Sequence, residues 1–307
     1  MLVRREAILA KIESTYRADA SPGVGDAVFV DNQSYDSEAR MNKRKGVKET
    51  TAPFQSVFGG RLATLSFDCE LKGSGAAGTA PEIGVLLRGC GMLEVVSAGV
   101  SVTYTPTSTN NESLTIYYYQ DGKLKVMLGA RGEASFDATA GMFGKVSFTF
   151  TGHPDNPESD SALPNPTYDS TVPPAFKNVS FTLDAYAADI SSLKCSLGNQ
   201  IAKPDSVKTA NGYGEIRIAE REVGGTVDPE AVLVATKDFY NIWESGTNFA
   251  IDTGVVGSTA GNRWQIQMPA VSVEGISEND REGVRTNELN YIANEVSGDD
   301  EMSIVFT

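Results

Sequence analysis

The chain holds one histidine, His153, in a Gly-His-Pro context. Any Ser-His-Asp set or histidine-based metal site would have to use it, and no serine lies in a G-x-S-x-G elbow. A loop position is its plainer reading. Cys69, Cys90 and Cys195 are odd in number, far apart, and form no C-x-x-C pair. That reads as three small buried thiols rather than a zinc or redox site. Gly73, Gly75 and Gly78 match the spacing of a dinucleotide loop. They lie in a strand-rich context and lack the Lys-Ser/Thr of a phosphate loop, so they read as a flexible connection. Asp299-Asp300-Glu301 and Glu278-Asn279-Asp280 lack the spacing of a calcium loop and read as solvated turns. No pair of carboxylates is singled out for sugar hydrolysis. The residue types therefore point to no catalytic, metal-binding or cofactor-binding set.

Charge is more informative. The formal net charge is −14, which disfavours nonspecific binding to nucleic-acid phosphate. It is unevenly spread: residues 1–155 hold 16 basic and 17 acidic side chains, and residues 156–307 hold 10 and 23. Against this acidity, Arg40, Lys43, Arg44, Lys45 and Lys48 crowd one short stretch. It is either a solvated basic loop or a patch that docks on an acidic surface of another copy.

The elements that must position these residues are mostly strands. Leu65, Phe67, Cys69 and Leu71 alternate with Thr64, Ser66, Asp68 and Glu70. Val146, Phe148 and Phe150 alternate likewise, as do Ile216 with Ile218, and Trp264 with Ile266 and Met268. Residues 302–307 form another strand candidate. Asp121-Gly122 between strand-like runs predicts a tight hairpin. Helices are predicted over 82–90, after Pro81, and from Asp228 as cap with Pro229 at the first position through to Trp243. A third, weaker helix is predicted over 5–16. No apolar run reaches the roughly 18 residues of a membrane span. Glu6, Lys11 and Glu13 interrupt any leader core, so export by the general pathway is not expected.

Residues 151–177 hold six of the thirteen prolines, which cannot donate to a strand ladder, and read as a linker. Roughly 150 residues flank it on each side, one ordinary domain apiece. Each side runs strand, helix, then several strands, with Pro-Glu before each predicted helix, which suggests a duplicated module. The expected division is 1–152, with an N-terminal segment and a long loop over 33–60, then a linker over 153–176 and a second unit over 177–307.

Several stretches together resemble the major tail tube proteins of long-tailed bacteriophages. They are Arg5 to Tyr16, Glu70 to Glu82, Leu86 to Met92, Ile116 to Gly122 and Ala130-Arg131-Gly132. In the second half they are Tyr213 to Ile218, Asp228 to Thr236 and Gly257 to Arg263. The resemblance implies a mainly β fold: two tandem β-sandwich or β-barrel units, each with a short flanking helix. It implies a structural virion protein, not an enzyme, without cofactors. Such subunits form rings that stack into a tube for DNA delivery. Carrying the fold twice, three chains would make a ring with pseudo-six-fold symmetry. The implied partners are other copies, tape-measure, tail-terminator and distal tail proteins, and DNA in passage. The implied location is the virion tail, assembled in the host bacterial cytoplasm without a membrane. The second half departs in one respect, because Ser196 to Gly212, where a basic loop would recur, is shorter and less basic.

On this reading the basic residues from Arg40 to Lys48 stack one ring on the next. Asp68, Glu70 and Glu215 face the bore, where an acidic or neutral lining repels phosphate. The competing reading is a two-domain carbohydrate-binding or adhesin-type β-sandwich protein, with Tyr117, Tyr118, Tyr119, Trp243 and Trp264 as stacking platforms. A glycan-cleaving enzyme is a third reading and lacks an identifiable acid pair.

Overall fold

The computed structural model describes residue 2, residues 5–155 and residues 158–307. Two residues of the expected linker, Asn156 and Pro157, lie outside the described residues. The first half contains β1 (Glu6–Ile12), β2 (Ala27–Val28), β3 (Asp31–Asn42) and β4 (Val57–Glu70). It continues with α1 (Gly84–Gly89), β5 (Met92–Ser97), β6 (Ser101–Pro106), β7 (Leu114–Gln120), β8 (Lys123–Thr139) and β9 (Lys145–Pro154). A two-residue strand, β10 (Ser159–Asp160), follows. The second half contains β11 (Thr182–Leu183), β12 (Tyr186–Ala187), β13 (Ser192–Ser196), β14 (Gln200–Ala202), β15 (Arg217–Glu220) and β16 (Gly224–Val227). Then come α2 (Phe239–Ser245), β17 (Phe249–Asp252), β18 (Trp264–Arg281), β19 (Val284–Ala293) and β20 (Ser303–Phe306). The fold is mainly β with two short helices.

The alternating pattern predicted for β4 and β9 is what the sheet uses. Leu65, Phe67 and Cys69 point inward with Val146, Phe148 and Phe150, while Ser66, Asp68, Ser147 and Thr149 point out. Phe67 lies 5.9 Å from Phe148 and 6.0 Å from Phe150, centroid to centroid. Leu86 and Leu87 of α1 are fully buried in the same core. Asp121 and Gly122 both take positive φ, and Gln120 pairs with Lys123 across them, as the dipeptide predicts.

The two halves have the same pairing order. The first runs β2–β1–β7–β8–β9–β4–β3. The second runs β12–β11–β17–β18–β19–β16–β13. After the last long strand of each, a short strand returns to the start of an earlier one: β10 to β8, and β20 to β18. Among the described residues two strand pairings join the halves, β13 on β8 and β20 on β6.

Three sequence expectations are corrected. Residues 5–16 hold strand β1, not a helix. Ala7, Ile8, Leu9 and Ala10 are all buried between β2 and β7, and a continuous apolar run shows neither helical nor strand period. The second helix starts at Phe239, not after Asp228. Asp228 instead accepts from the backbone N–H of Ser191 and Ser192. Residues 229–231 exchange backbone hydrogen bonds with β19 through Asn287 and Arg285, which holds them extended. Asp238 caps α2, accepting from Asn241 N at 2.9 Å. Finally, the long loop over 33–60 is largely a hairpin: β3 and β4 pair out to Asn42 and Val57, leaving only 43–56 as loop. At the expected linker, β9 runs on through His153 and Pro154, both buried.

Candidate functional site

The outward face of the main sheet carries a row of alternating charges. Glu70 stands opposite Lys145, Lys145 opposite Asp137, and Asp137 opposite Lys194. The row crosses from the first half into the second at the β8–β13 junction. It continues through Thr226 and Asn290. The next row holds Asp68, Ser147, Ser135 and Ser196. Asp68 accepts from Ser147 Oγ at 2.6 Å and from Asn32 Nδ2 at 2.9 Å. Glu70 pairs with Lys72 at 3.2 Å. Asp68 and Glu70 thus share one polar face that spans both halves, backed by the core.

Glu215 lies elsewhere. It sits just before β15 and binds Arg131 at 2.9 Å and Arg217 at 3.1 Å. Partial burial works to raise its carboxyl, but the two guanidinium groups hold it below the ordinary range. Arg131, on β8, also donates to the carbonyls of Asn111, Glu112 and Ile216. Tyr16 Oη accepts from Ile216 N at 2.7 Å and lies 3.1 Å from His153 Nε2. Asn211 bridges the N–H and carbonyl of Arg61 at 2.8 and 2.6 Å. A Cβ on Gly60, at φ +113, would come within 1.9 Å of the Asn211 carbonyl oxygen. Together these contacts bind loop 203–216 of the second half to the first. His153 is fully buried, and desolvation lowers its pKa to about 4, so it stays neutral.

The basic cluster divides. Arg40, on β3, pairs with Asp205 at 2.8 Å and lies 4.6 Å over the Tyr213 ring, within the chain. Lys43, Arg44, Lys45 and Lys48 occupy the exposed tip of the β3–β4 arm. Arg44 and Lys48 flank the Phe54 ring at 5.5 and 4.4 Å. Met41, Val47, Val57 and Phe58 are half or more exposed on the same arm.

The remaining candidates are absorbed by the fold. Cys69, Cys90 and Cys195 are buried and unpaired, with desolvation raising each thiol. Asp299 accepts from Ser108 N and Arg221, and Asp300 from Val296 N. Among the described residues no group of three acidic, histidine or cysteine side chains could hold a metal. Trp264 is fully buried against Phe176, and Tyr118 is buried, so neither offers a platform to a sugar. The clamp of Tyr16, Arg131 and Asn211 escaped the sequence reading, because its members lie far apart in the chain. The outward row on β13 was legible in principle, since Leu193 and Cys195 alternate with Ser192, Lys194 and Ser196.

Among the described residues no helix is long and apolar enough to cross a membrane. No curated protein matches the chain. The profile of a family described as phage tail tube protein matches residues 4–293 of the 307, covering both halves and the segment between them. The chain belongs to the phage tail tube protein family.

Proposed function

We infer that this chain is the repeating subunit of a tail tube: copies close into rings, rings stack, and the bore conducts DNA. The supporting observation is the polar sheet face that runs unbroken from β4 across β9 and β8 to β13 and β16, with the core behind it. A face built from both halves of one chain suits a wall made from repeated copies of the same unit. Asp68 and Glu70 face the bore and keep phosphate from settling on the wall. Glu215 is withdrawn from this role because it lies off this face, just before β15 of the separate two-stranded sheet, where it is bound by Arg131 and Arg217. The role is structural, without catalysis or cofactor.

The arm tip with Lys43, Arg44, Lys45 and Lys48 docks on an acidic surface of the next ring, and the apolar residues beside it are covered there. Arg40 anchors the arm base through Asp205. Two equivalent units, the first carried on by β9 and β10 to Asp160 and the second over 177–307, make a three-chain ring of pseudo-six-fold symmetry. Tape-measure, terminator and distal tail proteins meet the tube along its bore and at its ends. Assembly takes place in the host bacterial cytoplasm and the product resides in the virion tail. Negative-stain electron microscopy at high concentration, with light scattering, tests this. Hollow tubes or stacked rings of a three-chain mass are expected; a six-chain ring mass would overturn the stoichiometry.

A further inference from the structure

The Pro-rich segment between the halves is pinned at its ends and lightly held between them. Just after β10, Ser161 N donates to Gly122 O at 3.0 Å. At the other end Phe176 N donates to Met142 O at 2.7 Å, and the Phe176 ring stacks on Trp264. Over 162–174, among the described residues, the one backbone–backbone hydrogen bond is Thr167 N to Val24 O, at 3.3 Å. Pro164, Pro166, Pro173 and Pro174 have no N–H to offer. Thr167, Tyr168, Ser170 and Val172 are exposed. A segment with so few backbone bonds opens at little cost, without unfolding the sheets beside it.

Side chains hold its middle to the first half. Lys72, buried just after β4, donates from Nζ to the Asp169 carbonyl at 3.1 Å and pairs with Glu70 at 3.2 Å. The Tyr168 ring meets the Phe29 ring edge-on at 5.9 Å. Asp169 itself is poorly satisfied. Its Oδ1 accepts from Thr171 N at 2.9 Å and Thr171 Oγ1 at 2.7 Å, but Oδ2 is buried with no partner among the described residues. A buried carboxylate oxygen without a donor is destabilising. Glu82 completes the set. It accepts from Phe29 N at 2.6 Å, at the residue whose ring Tyr168 meets, and the charges of Lys72, Asp169 and Glu70 all bear on it.

We propose that residues 162–171 are a clasp, latched to the first half by Lys72, which opens when Glu82 gives its proton to water. With Glu82 neutral, Lys72 pairs with Glu70 and holds the Asp169 carbonyl. Ionised, Glu82 is a third carboxylate around one ammonium. It draws Lys72 from the carbonyl and repels the Asp169 carboxylate, whose Oδ2 reaches water once the clasp is open. The bonds at Ser161 and Phe176 keep both ends in place, so the halves stay joined. The remaining groups facing this site do not change charge. Burial pushes up the Cys69 thiol and the Tyr168 hydroxyl, so both stay protonated. Asp68 is held by Ser147 and Asn32. In the closed form burial lifts Glu82 from 4.5 to about 7, and in the open form water returns it toward 4.5. The closed form is therefore the acid form, and opening sets in as pH rises through 7. Between pH 5.5 and 8.5 the ratio of open to closed forms rises by at most about 30-fold.

Spin-label mobility on the full chain tests the clasp, because the signal reports motion and does not itself titrate. Ser170→Cys puts one exposed thiol on the clasp, while Cys69, Cys90 and Cys195 are buried. The label is expected to be restrained at pH 5.5 and to become mobile with a midpoint near 7. Circular dichroism is expected to stay flat over the same range, which separates opening from unfolding. With Glu82→Gln added, which cannot ionise, the label is expected to stay restrained at pH 8.5. With Lys72→Met added, it is expected to be mobile already at pH 5.5. Mobility that is flat with pH in the parent, or a transition that survives Glu82→Gln, would overturn the proposal. A label still restrained in Lys72→Met would overturn the latch. The clasp lies within a single chain, so these outcomes leave the tube reading intact.

Discussion

Two titratable residues, half-buried Glu82 and buried His153, set opposing pH dependences. Burial pushes Glu82 up to about 7, although it accepts from Phe29 N at 2.6 Å. A carboxyl with a raised folded pKa contributes fully below its unfolded value, here 4.5, and that contribution is lost as pH rises through 7. His153 runs the other way. Its contribution is full above 6.5 and is lost as pH falls through 4. The two slopes oppose each other over nearly the same window, which flattens the stability profile between pH 4 and 7. Glu82→Gln removes one slope. Urea unfolding should find the variant close to the parent at pH 4. At pH 8 it should be more stable by about 1–3 kcal/mol, after allowance for solvent screening. An unchanged difference between the two pH values would show that Glu82 carries no buried charge.

At the scale of elements, the junction between the halves depends on one side chain more than on the strands beside it. Arg131 satisfies three backbone carbonyls and Glu215 from a position almost closed to solvent. Arg131→Met keeps the packing volume but strands those acceptors and leaves Glu215 half-buried beside an apolar chain. A loss of about 2–5 kcal/mol is expected, measured by denaturant unfolding, with faster hydrogen exchange in loop 203–216. A loss below about 1 kcal/mol would mean that water replaces the guanidinium without cost. The strands that carry one apolar face, β4, β9 and the first part of β18, were legible from alternation alone. β1 was not, because it is covered on both faces, and neither was β3, whose half-buried face mixes Gln33 and Ser37 with Tyr35. The helix predicted after Asp228 failed because distant groups, Ser191, Ser192 and β19, claimed the local cap and backbone.

For the whole molecule, the arm and the polar face give separate expectations. Deleting Lys43 to Lys48 removes the exposed arm tip without touching the core, so soluble rings that do not stack are expected by electron microscopy. Tubes of normal length from that variant would refute the stacking role. Asp68→Lys with Glu70→Lys should leave assembly intact and slow DNA passage, measured as genome ejection from complemented particles. Ejection at the parent rate would place the polar face away from the bore.

The sequence alone determined the mainly β class, the buried thiols and the acidic balance with its one basic cluster. These follow from composition and short-range periodicity, which need no knowledge of distant contacts. Together with the ordered motifs that resemble tail tube proteins, they carried the family. The tertiary structure decided which strands pair, and hence that both halves share one pairing order while β13 and β20 cross between them. It also decided that Glu215 serves a clamp, and that Lys194 stands opposite Asp137 across a junction more than fifty residues apart in the chain. Strand pairing is a long-range choice made by packing and backbone hydrogen bonds, and local pattern carries little information about it.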